Sequence, residues 1–414
     1  MFVGTGGLER GVDVKIGSGF SADFMEDVRM QAIKAYFQRH GHDPFRIGEG
    51  RISGYLSAAL GLLSLCAVLC FLFPEWLTFA EFRKVYSEQF ARSVLLVGLV
   101  ASFSLGTLNI LLNRRKRLGF TGIAASGLAV FLGGTNIQFE TIGQTPYSLG
   151  LDWFVLALLV SAIVFIPLEK LYAKDPQQNI LRPHWRTDLA YFFVSHMLVQ
   201  FILIFVTASS TLLGGWAVSP AFQAGVQSLP VWLQFILAVL VADLGQYWLH
   251  RLYHVVPWLW RFHAVHHSST AMDWLAGSRI HFVEILLTRT GVLVPLMLMG
   301  FSPQAMNAYV ILVGVQAVLA HANVRIDGGW LNYLLVLPRY HHWHHARHPD
   351  YIYKNYAIHL PIVDMLFGTF KLPPKEWPTR YGVFGKPLPD GILRQHLYPF
   401  QKPEPKAPVK PKAS

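Results

Sequence analysis

Three stretches of this chain, residues 52–73, 92–112 and 189–208, each run for about twenty largely apolar residues, the length a helix needs to cross a bilayer core. Three more, 118–135, 152–168 and 231–249, are shorter or more interrupted, and 282–300 and 304–320 are joined only by Phe301-Ser302-Pro303. That last pair reads either as two tightly linked spans or as a re-entrant hairpin. Of the 414 residues 53% are apolar and 14% charged, too little charge to coat a soluble globule of this length. The expected fold class is all-α, a polytopic transmembrane helical bundle.

A net charge of +11 raises the possibility of nucleic acid, but the Lys and Arg sit in short clusters beside apolar stretches rather than along one polar face. Arg114-Arg115-Lys116-Arg117 follows the second stretch, and Lys170, Lys174, Arg182 and Arg186 lie between 152–168 and 189–208; loops 136–150 and 209–230 contain neither Lys nor Arg. Read by the positive-inside rule, this alternation puts the N-terminus and the end of the sixth helix in the cytoplasm. Residues 250–281 and 321–370 then share that face. Cys66 and Cys70, the only cysteines, both fall in an apolar run, which excludes a disulfide framework or a thiolate zinc site. Any metal must be held by His and carboxylates.

The first fifty residues lack the pattern of a removable signal peptide, so the first apolar stretch is expected to stay as a helix. Residues 1–48 form a segment of no assigned role, 49–184 hold about four helices, 185–372 hold the chemistry, and 373–414 are an extension whose Pro/Lys-rich tail from Lys402 is expected to be disordered.

Histidine is unevenly spread: twelve of eighteen lie between His250 and His348. His250 and His254 form HxxxH; His263, His266 and His267 form HxxHH; His341, His344 and His345 form HxxHH again. Residues three and four apart share a helical face, so each cluster can aim two or three imidazoles at one point, and three such faces can enclose two metals. Neutral imidazole suits iron, zinc or copper alike. No HExxH occurs, which excludes the zinc-protease pattern, and the paired ExxH of soluble di-iron bundles is also absent. His281 and His321, each at the edge of an apolar stretch, are plausible further ligands. Asp243 shares a helical face with His250 and is a natural partner for its second nitrogen, with Glu284, Asp327 and Asp364 as weaker candidates. Residues His40, His42, His184, His196, His359 and His396 read as interfacial or hydrogen-bonded histidines, with His342 and His348 undecided. Arg251 and Arg261 read as headgroup contacts, and Tyr253, Trp258, Trp260 and Phe262 as an interfacial belt.

These motifs carry a resemblance. The text Tyr247-Trp248-Leu249-His250-Arg251-Leu252-Tyr253-His254, then Trp260-Arg261-Phe262-His263-Ala264-Val265-His266-His267-Ser268, Arg279-Ile280-His281-Phe282-Val283-Glu284, and His321-Ala322-Asn323 is similar to the fatty acid hydroxylase and sterol desaturase superfamily of membrane di-iron enzymes. So are Pro338-Arg339-Tyr340-His341-His342-Trp343-His344-His345, Asn355-Tyr356, and Asp364 to Thr369; the match runs over about residues 185–372. The resemblance implies an oxidoreductase that binds two iron ions, uses O2 with electrons from outside, and hydroxylates or desaturates a lipid taken from the bilayer. It implies as ligands His250, His254, His263, His266, His267, His341, His344 and His345, with His321 ninth and His281 tenth, and adds Asn323 to Asp243, Glu284 and Asp364 around them. No catalytic side chain beyond the ligands is expected. Three positions depart from the family pattern: Phe282 stands for a usual Pro, Ala322 for Ser or Thr, and Ala357 for Gly.

No dinucleotide fingerprint, haem motif or iron-sulfur cysteine pattern is present, so a separate electron-donor protein is expected on the cytoplasmic side, where the histidine-rich cap and active site should lie. Without a recognisable retrieval signal, a bacterial inner membrane is favoured over the endoplasmic reticulum. The rival readings are a membrane metal transporter or store and a di-zinc hydrolase. A transporter would line several spans with polar groups, whereas here they gather at one end.

Overall fold

The computed structural model describes residues 51–79, 83–84, 86–114, 116–138 and 148–401; the expectations for residues 1–48 and for the tail from Lys402 lie outside them. The helices begin with α1 (Arg51–Leu72), α2 (Pro74–Leu77), α3 (Glu88–Leu112), α4 (Arg117–Phe131) and α5 (Leu151–Leu171), followed by α6 (Trp185–Met197), α7 (Val199–Ala217) and α8 (Pro220–Gln227). Then come α9 (Val231–Val255), α10 (Pro257–His266), α11 (Phe282–Met299), α12 (Pro303–His321), α13 (Pro338–His344), α14 (Ile362–Leu366) and α15 (Ile392–Leu397). Among the described residues extended pairing is limited to bridges between Ala173 and Val324 and between Ala346 and Tyr381.

Seven of these helices, α1, α3, α4, α5, α9, α11 and α12, are long and apolar enough to cross a membrane. Large apolar side chains on them stand bare, Leu111, Phe131, Ile163 and Ile311 being 68–85% exposed, as a surface solvated by acyl chains allows. The chain is an integral, multi-pass membrane protein. Helices α11 and α12 each have the length of a span, and Gly300 makes their tight turn at φ 72°, a left-handed cap open to glycine. The stretch 189–208 differs from its expectation: it is not one straight helix but α6 and α7, bent by 45°. At the start of α6, Asp188 is fully buried and drawn into ion pairs with Arg182 and Arg279. Arg182, read above as one of a membrane-flanking basic group, is therefore a buried partner rather than a headgroup contact.

The chain divides into two compact units, residues 1–65 with 95–132, and residues 66–94 with 133–414, so α5 groups with the second rather than with the other N-terminal helices. The first unit packs through small residues. A Cβ at Gly122 would stand 2.0 Å from Ser57 Oγ, and Ser57 and Ser102 exchange hydrogen bonds with each other's carbonyls at 2.7 and 2.8 Å. Such close backbone approach is how helices associate where water gives no hydrophobic drive.

The second unit is organised around α9, which packs against α10, α11 and α12. The α9–α11 crossing is tight: a Cβ on Gly245 would meet Gly291 O at 2.9 Å. Val226, Ala238, Ala242, Leu296 and Tyr309 form one buried cluster at this crossing, and Tyr247, Tyr340, Tyr356 and Val363 form another further along α9. Proline sets the two turns that matter most for function. Val256 is extended before Pro257 and Leu337 before Pro338, so α10 and α13 each start sharply and double back toward the end of the bundle.

Asp243 stitches this unit together. Its carboxylate is buried in α9 and accepts the backbone N–H groups of Ile358, His359 and Leu360 at 2.9, 3.1 and 2.7 Å. Replacing it with the isosteric amide, Asp243→Asn, turns an acceptor into a donor facing an N–H. The expected loss is about 2–4 kcal/mol, because charged hydrogen bonds and a buried unmet donor are both involved. Thermal unfolding of the detergent-solubilised protein, followed by loss of the monodisperse peak on gel filtration, measures it.

Candidate metal centre

Nine imidazoles meet where the C-termini of α9 and α12 come together with α10 and α13. The first group is His250, His254, His263, His267 and His344, and the second is His266, His321, His341 and His345; within each, one nitrogen per ring lies within 4.8 Å of all the others. Helical spacing builds both groups. His250 and His254 are one turn apart at the end of α9; His263 and His267 face the first group while His266, on the next face, turns to the second. Along α13, His344 joins the first group, and His341 and His345 join the second. The two groups are contiguous, with the rings of His267 and His345 stacked at 4.3 Å.

The outer ring nitrogens fix the tautomers. His250 Nδ1 donates to Tyr356 O at 2.7 Å, His263 Nδ1 to Glu284 Oε1 at 2.7 Å, and His266 Nδ1 to Arg279 O at 3.1 Å. His321 Nδ1 donates to Ala317 O at 2.8 Å, and His344 Nδ1 to Lys354 O at 2.9 Å. With the proton held at Nδ1, each neutral ring turns its Nε2 lone pair inward. Yet the Nε2 atoms of His250 and His263 stand 3.1 Å apart, and those of His266 and His321 3.3 Å apart. These pairs have no proton to share. Buried nitrogens without any hydrogen-bond partner add to the count: Nε2 of His254 and His344, and Nδ1 of His341 and His345.

Converging lone pairs repel one another unless a cation sits among them, so this donor set fits metal. Five rings in the first group exceed the four ligands of a structural zinc site. Burial, followed by the closeness of the other imidazoles, holds His263, His267, His341 and His345 well below the ordinary histidine range; burial likewise depresses His266 and His344. The rings are kept neutral and ready to ligate.

All eight clustered histidines and His321 therefore come together, but His281 does not. Its Nδ1 accepts Val283 N–H at 3.1 Å, capping α11, and its Nε2 donates to His396 O at 3.1 Å, so both nitrogens are engaged away from the two groups. Of the carboxylates expected to orient ligands, Glu284 does so directly. Asp243 does not reach His250, since seven residues of helix put it about 10 Å down the same face. Instead it holds residues 358–360, two positions beyond the carbonyl that His250 uses. Asp364 accepts Tyr356 N–H, Ala357 N–H, Tyr340 O–H and Thr369 O–H at 2.6–2.8 Å and so clamps the same loop. Asn323 pairs with the backbone of Asp175 through both side-chain atoms and touches no ligand. Asp327 is exposed and 3.8 Å from Arg339.

Three further residues take roles other than those the sequence suggested or left open. Arg182 binds Asp188 and Asp273, and Asp188 also binds Arg279, all at 2.6–2.7 Å and all buried; this network carries the carbonyl that orients His266. His342 is buried and bonds Tyr381 O–H at 2.8 Å and the carbonyls of His321 and Ala322, tying α13 to the end of α12; burial lowers it to about 3. Arg261, expected at headgroups, donates to Tyr398 O and Gln401 O and holds the C-terminal segment against α10. Cavities among the described residues of this unit include an apolar groove of about 540 Å³ between α7 and α11, lined by residues such as Phe205, Leu213, Leu287 and Val294, and a pocket of about 410 Å³ beside Arg251 and Tyr356.

Comparison with known proteins agrees with this geometry. The fatty acid hydroxylase family model matches residues 235–369, a range that contains all nine histidines. Ornithine lipid hydroxylase OlsE of Rhizobium tropici is 34% identical over 174 residues, covering 42% of this chain and 52% of that protein. Alkylglycerol monooxygenase of Danio rerio is 34% identical over 152 residues, 36% of this chain and 32% of that one, and its human counterpart 36% identical over 139 residues, 32% and 30%. The chain thus spans about half, or less, of the curated relatives it matches. No solved structure matches it. Over residues 235–369, then, the chain is similar to the fatty acid hydroxylase family.

Proposed function

We propose that the nine histidines hold two iron ions, one in each group, and that the protein uses O2 and electrons from a separate donor protein to hydroxylate or desaturate a lipid drawn from the bilayer. The observation that carries this reading is the convergence of Nε2 lone pairs whose tautomers are fixed from outside. An all-nitrogen cage without thiolate, with five rings in its first group, suits a redox-active ion better than a structural zinc. The relatives named above are a lipid hydroxylase and monooxygenases, which points the same way. Clustering of the imidazoles at one end of the bundle, rather than along several spans, disfavours the transporter or store.

Iron bound there supplies O2 activation and oxidation of an unactivated C–H bond. The protein's own residues position and exclude. Tyr356 O, Arg279 O, Lys354 O, Ala317 O and Glu284 each aim one ring, and the rings of Tyr253, Tyr356 and Trp260 pack against His263, His254 and His267. The groove between α7 and α11 offers an acyl chain a lodging within the bundle. Support for a cytoplasmic centre comes from the basic loop after α5: Lys174 N–H donates to Asn323 O at 3.1 Å, two residues beyond His321, so the site shares the side that the positive-inside rule gives that loop. The electron donor would dock on the same side.

Metal analysis of purified protein is expected to find two irons per chain, with His266→Ala and His344→Ala each losing metal and O2-dependent lipid oxidation. Full metal content and turnover in both variants would remove the assignment. Glu284→Ala, which frees His263 Nδ1, should weaken iron binding roughly 10–100-fold while the fold persists.

Acid should act on the fold itself. The six rings His263, His266, His267, His341, His344 and His345 have folded values below the unfolded value of about 6.5, so under that pH the unfolded chain binds more protons than the folded one. Their contribution to stability is present above about pH 6.5 and is lost as the pH falls below it. Chelated, metal-free protein should melt at a lower temperature at about pH 5.5 than at about pH 7.5; equal midpoints would mean that the rings take up protons in place.

A further inference from the structure

Arg251 follows His250 in α9 but faces a different cavity, the pocket of about 410 Å³ bounded by Arg251, Val255, Tyr353, Tyr356 and Thr369. Among the described residues only one of its five N–H groups makes a hydrogen bond. Arg251 Nη1 donates to Tyr247 Oη at 3.2 Å, Tyr247 O–H to Thr369 Oγ1 at 2.9 Å, and Thr369 O–H to Asp364 Oδ1 at 2.6 Å. The direction of this chain is fixed because a carboxylate can only accept at one end and a guanidinium can only donate at the other. Its effect is to anchor one edge of the guanidinium, which also lies 5.6 Å from the Trp248 ring, and to leave the rest for a ligand. No carboxylate among the described residues pairs with Arg251, and Asp364 is already engaged by four donors.

Tyr356 is the wall between this pocket and the first histidine group. Its ring centroid is 5.2 Å from His254, 5.6 Å from His250 and 6.1 Å from His344. The residue is 1% exposed, and its hydroxyl is buried with no hydrogen-bond partner. A buried hydroxyl left unpaired is unfavourable, a cost that a ligand oxygen would relieve.

We propose that this pocket receives the anionic headgroup of the lipid substrate, a phosphate or carboxylate, with Arg251 pairing its charge and Tyr356 Oη donating to one of its oxygens. The proposal rests on the reading of the substrate as a lipid and adds the chemistry by which that lipid is chosen. A fork of free guanidinium N–H groups suits an oxyanion in a way that a hydroxylated or sugar headgroup cannot match. Held there, the headgroup sets the register of the attached chain against His250 and His254.

The test is isothermal titration of the full chain, in nanodiscs of zwitterionic lipid, with hexyl phosphate, hexanol and inorganic phosphate. Wild-type protein should bind hexyl phosphate about tenfold or more tightly than either of the other two. Arg251→Gln should abolish the preference over hexanol, Arg251→Lys should keep part of it, and Tyr356→Phe should weaken hexyl phosphate several-fold. Metal content is read for each variant, and where Arg251→Gln loses metal the wild-type and Arg251→Lys arms decide. Wild-type protein that binds hexyl phosphate no better than hexanol overturns the proposal; so does inorganic phosphate binding equally well, which marks a free-anion site, or an undiminished preference in Arg251→Gln. Because binding is read without turnover, a protein that prefers hexyl phosphate yet oxidises no lipid overturns the enzymatic reading alone.

Discussion

The centre depends on one constraint: each neutral imidazole has a single proton, and where that proton is held decides where the lone pair points. Five rings have it pinned at Nδ1 by an acceptor behind them, four of these acceptors being backbone carbonyls. Carbonyls cannot be protonated near neutral pH and cannot donate, so the tautomer is fixed without adding charge to a buried site. The exception, Glu284, stands behind His263, whose Nε2 lies about 3 Å from those of both His250 and His267. There the one side-chain acceptor of the five stands where three rings crowd most closely.

If carbonyls aim the ligands, the loops that carry them must be as well determined as the helices. That is the work of the buried carboxylates. Asp243 and Asp364 between them accept five backbone N–H groups from residues 356–360, and Asn355, in the left-handed region at φ 63°, is clamped to Lys371 by two bonds of 2.8 Å. Tyr356 O is thereby presented to His250. On the other side the Arg182–Asp188–Arg279 network fixes Arg279 O for His266, and its anionic and cationic members are all buried and mutually paired, the condition under which such groups are tolerated. Removing one partner would leave a charge without compensation, so this network acts as a unit.

This division of labour explains what the sequence could tell and what it could not. Clustered imidazoles advertise themselves, because helical spacing dictates where the next one falls; HxxxH and HxxHH point to eight of the rings that meet here, and the edge of an apolar stretch to His321. Groups that orient ligands leave no such trace, since any residue has a carbonyl. Asp243 looked like the partner of His250 because periodicity reports a shared face and not the two turns of helix between them. His281 carried the right residue type in a matching motif, yet its nitrogens serve a helix cap and a contact to His396. Arg182 read as a loop cation because composition does not reveal the buried Asp188 and Asp273 that claim it.

The same reasoning accounts for the three departures from the family pattern. Ala357 stands for a usual Gly, and its role is a main-chain one: its N–H donates to Asp364 at 2.7 Å, and it is absent from the residues with positive φ, so a methyl group is accommodated. Ala322 replaces Ser or Thr, but what its position supplies is the carbonyl that meets His342 Nε2 at 3.1 Å. Phe282 replaces Pro at the first residue of α11, where proline's missing N–H is harmless and its fixed φ is convenient; the His281 ring already caps that helix, so the start is defined without it. At Ala322 and Ala357 the main chain makes the bond, and at Phe282 the cap comes from the neighbouring ring.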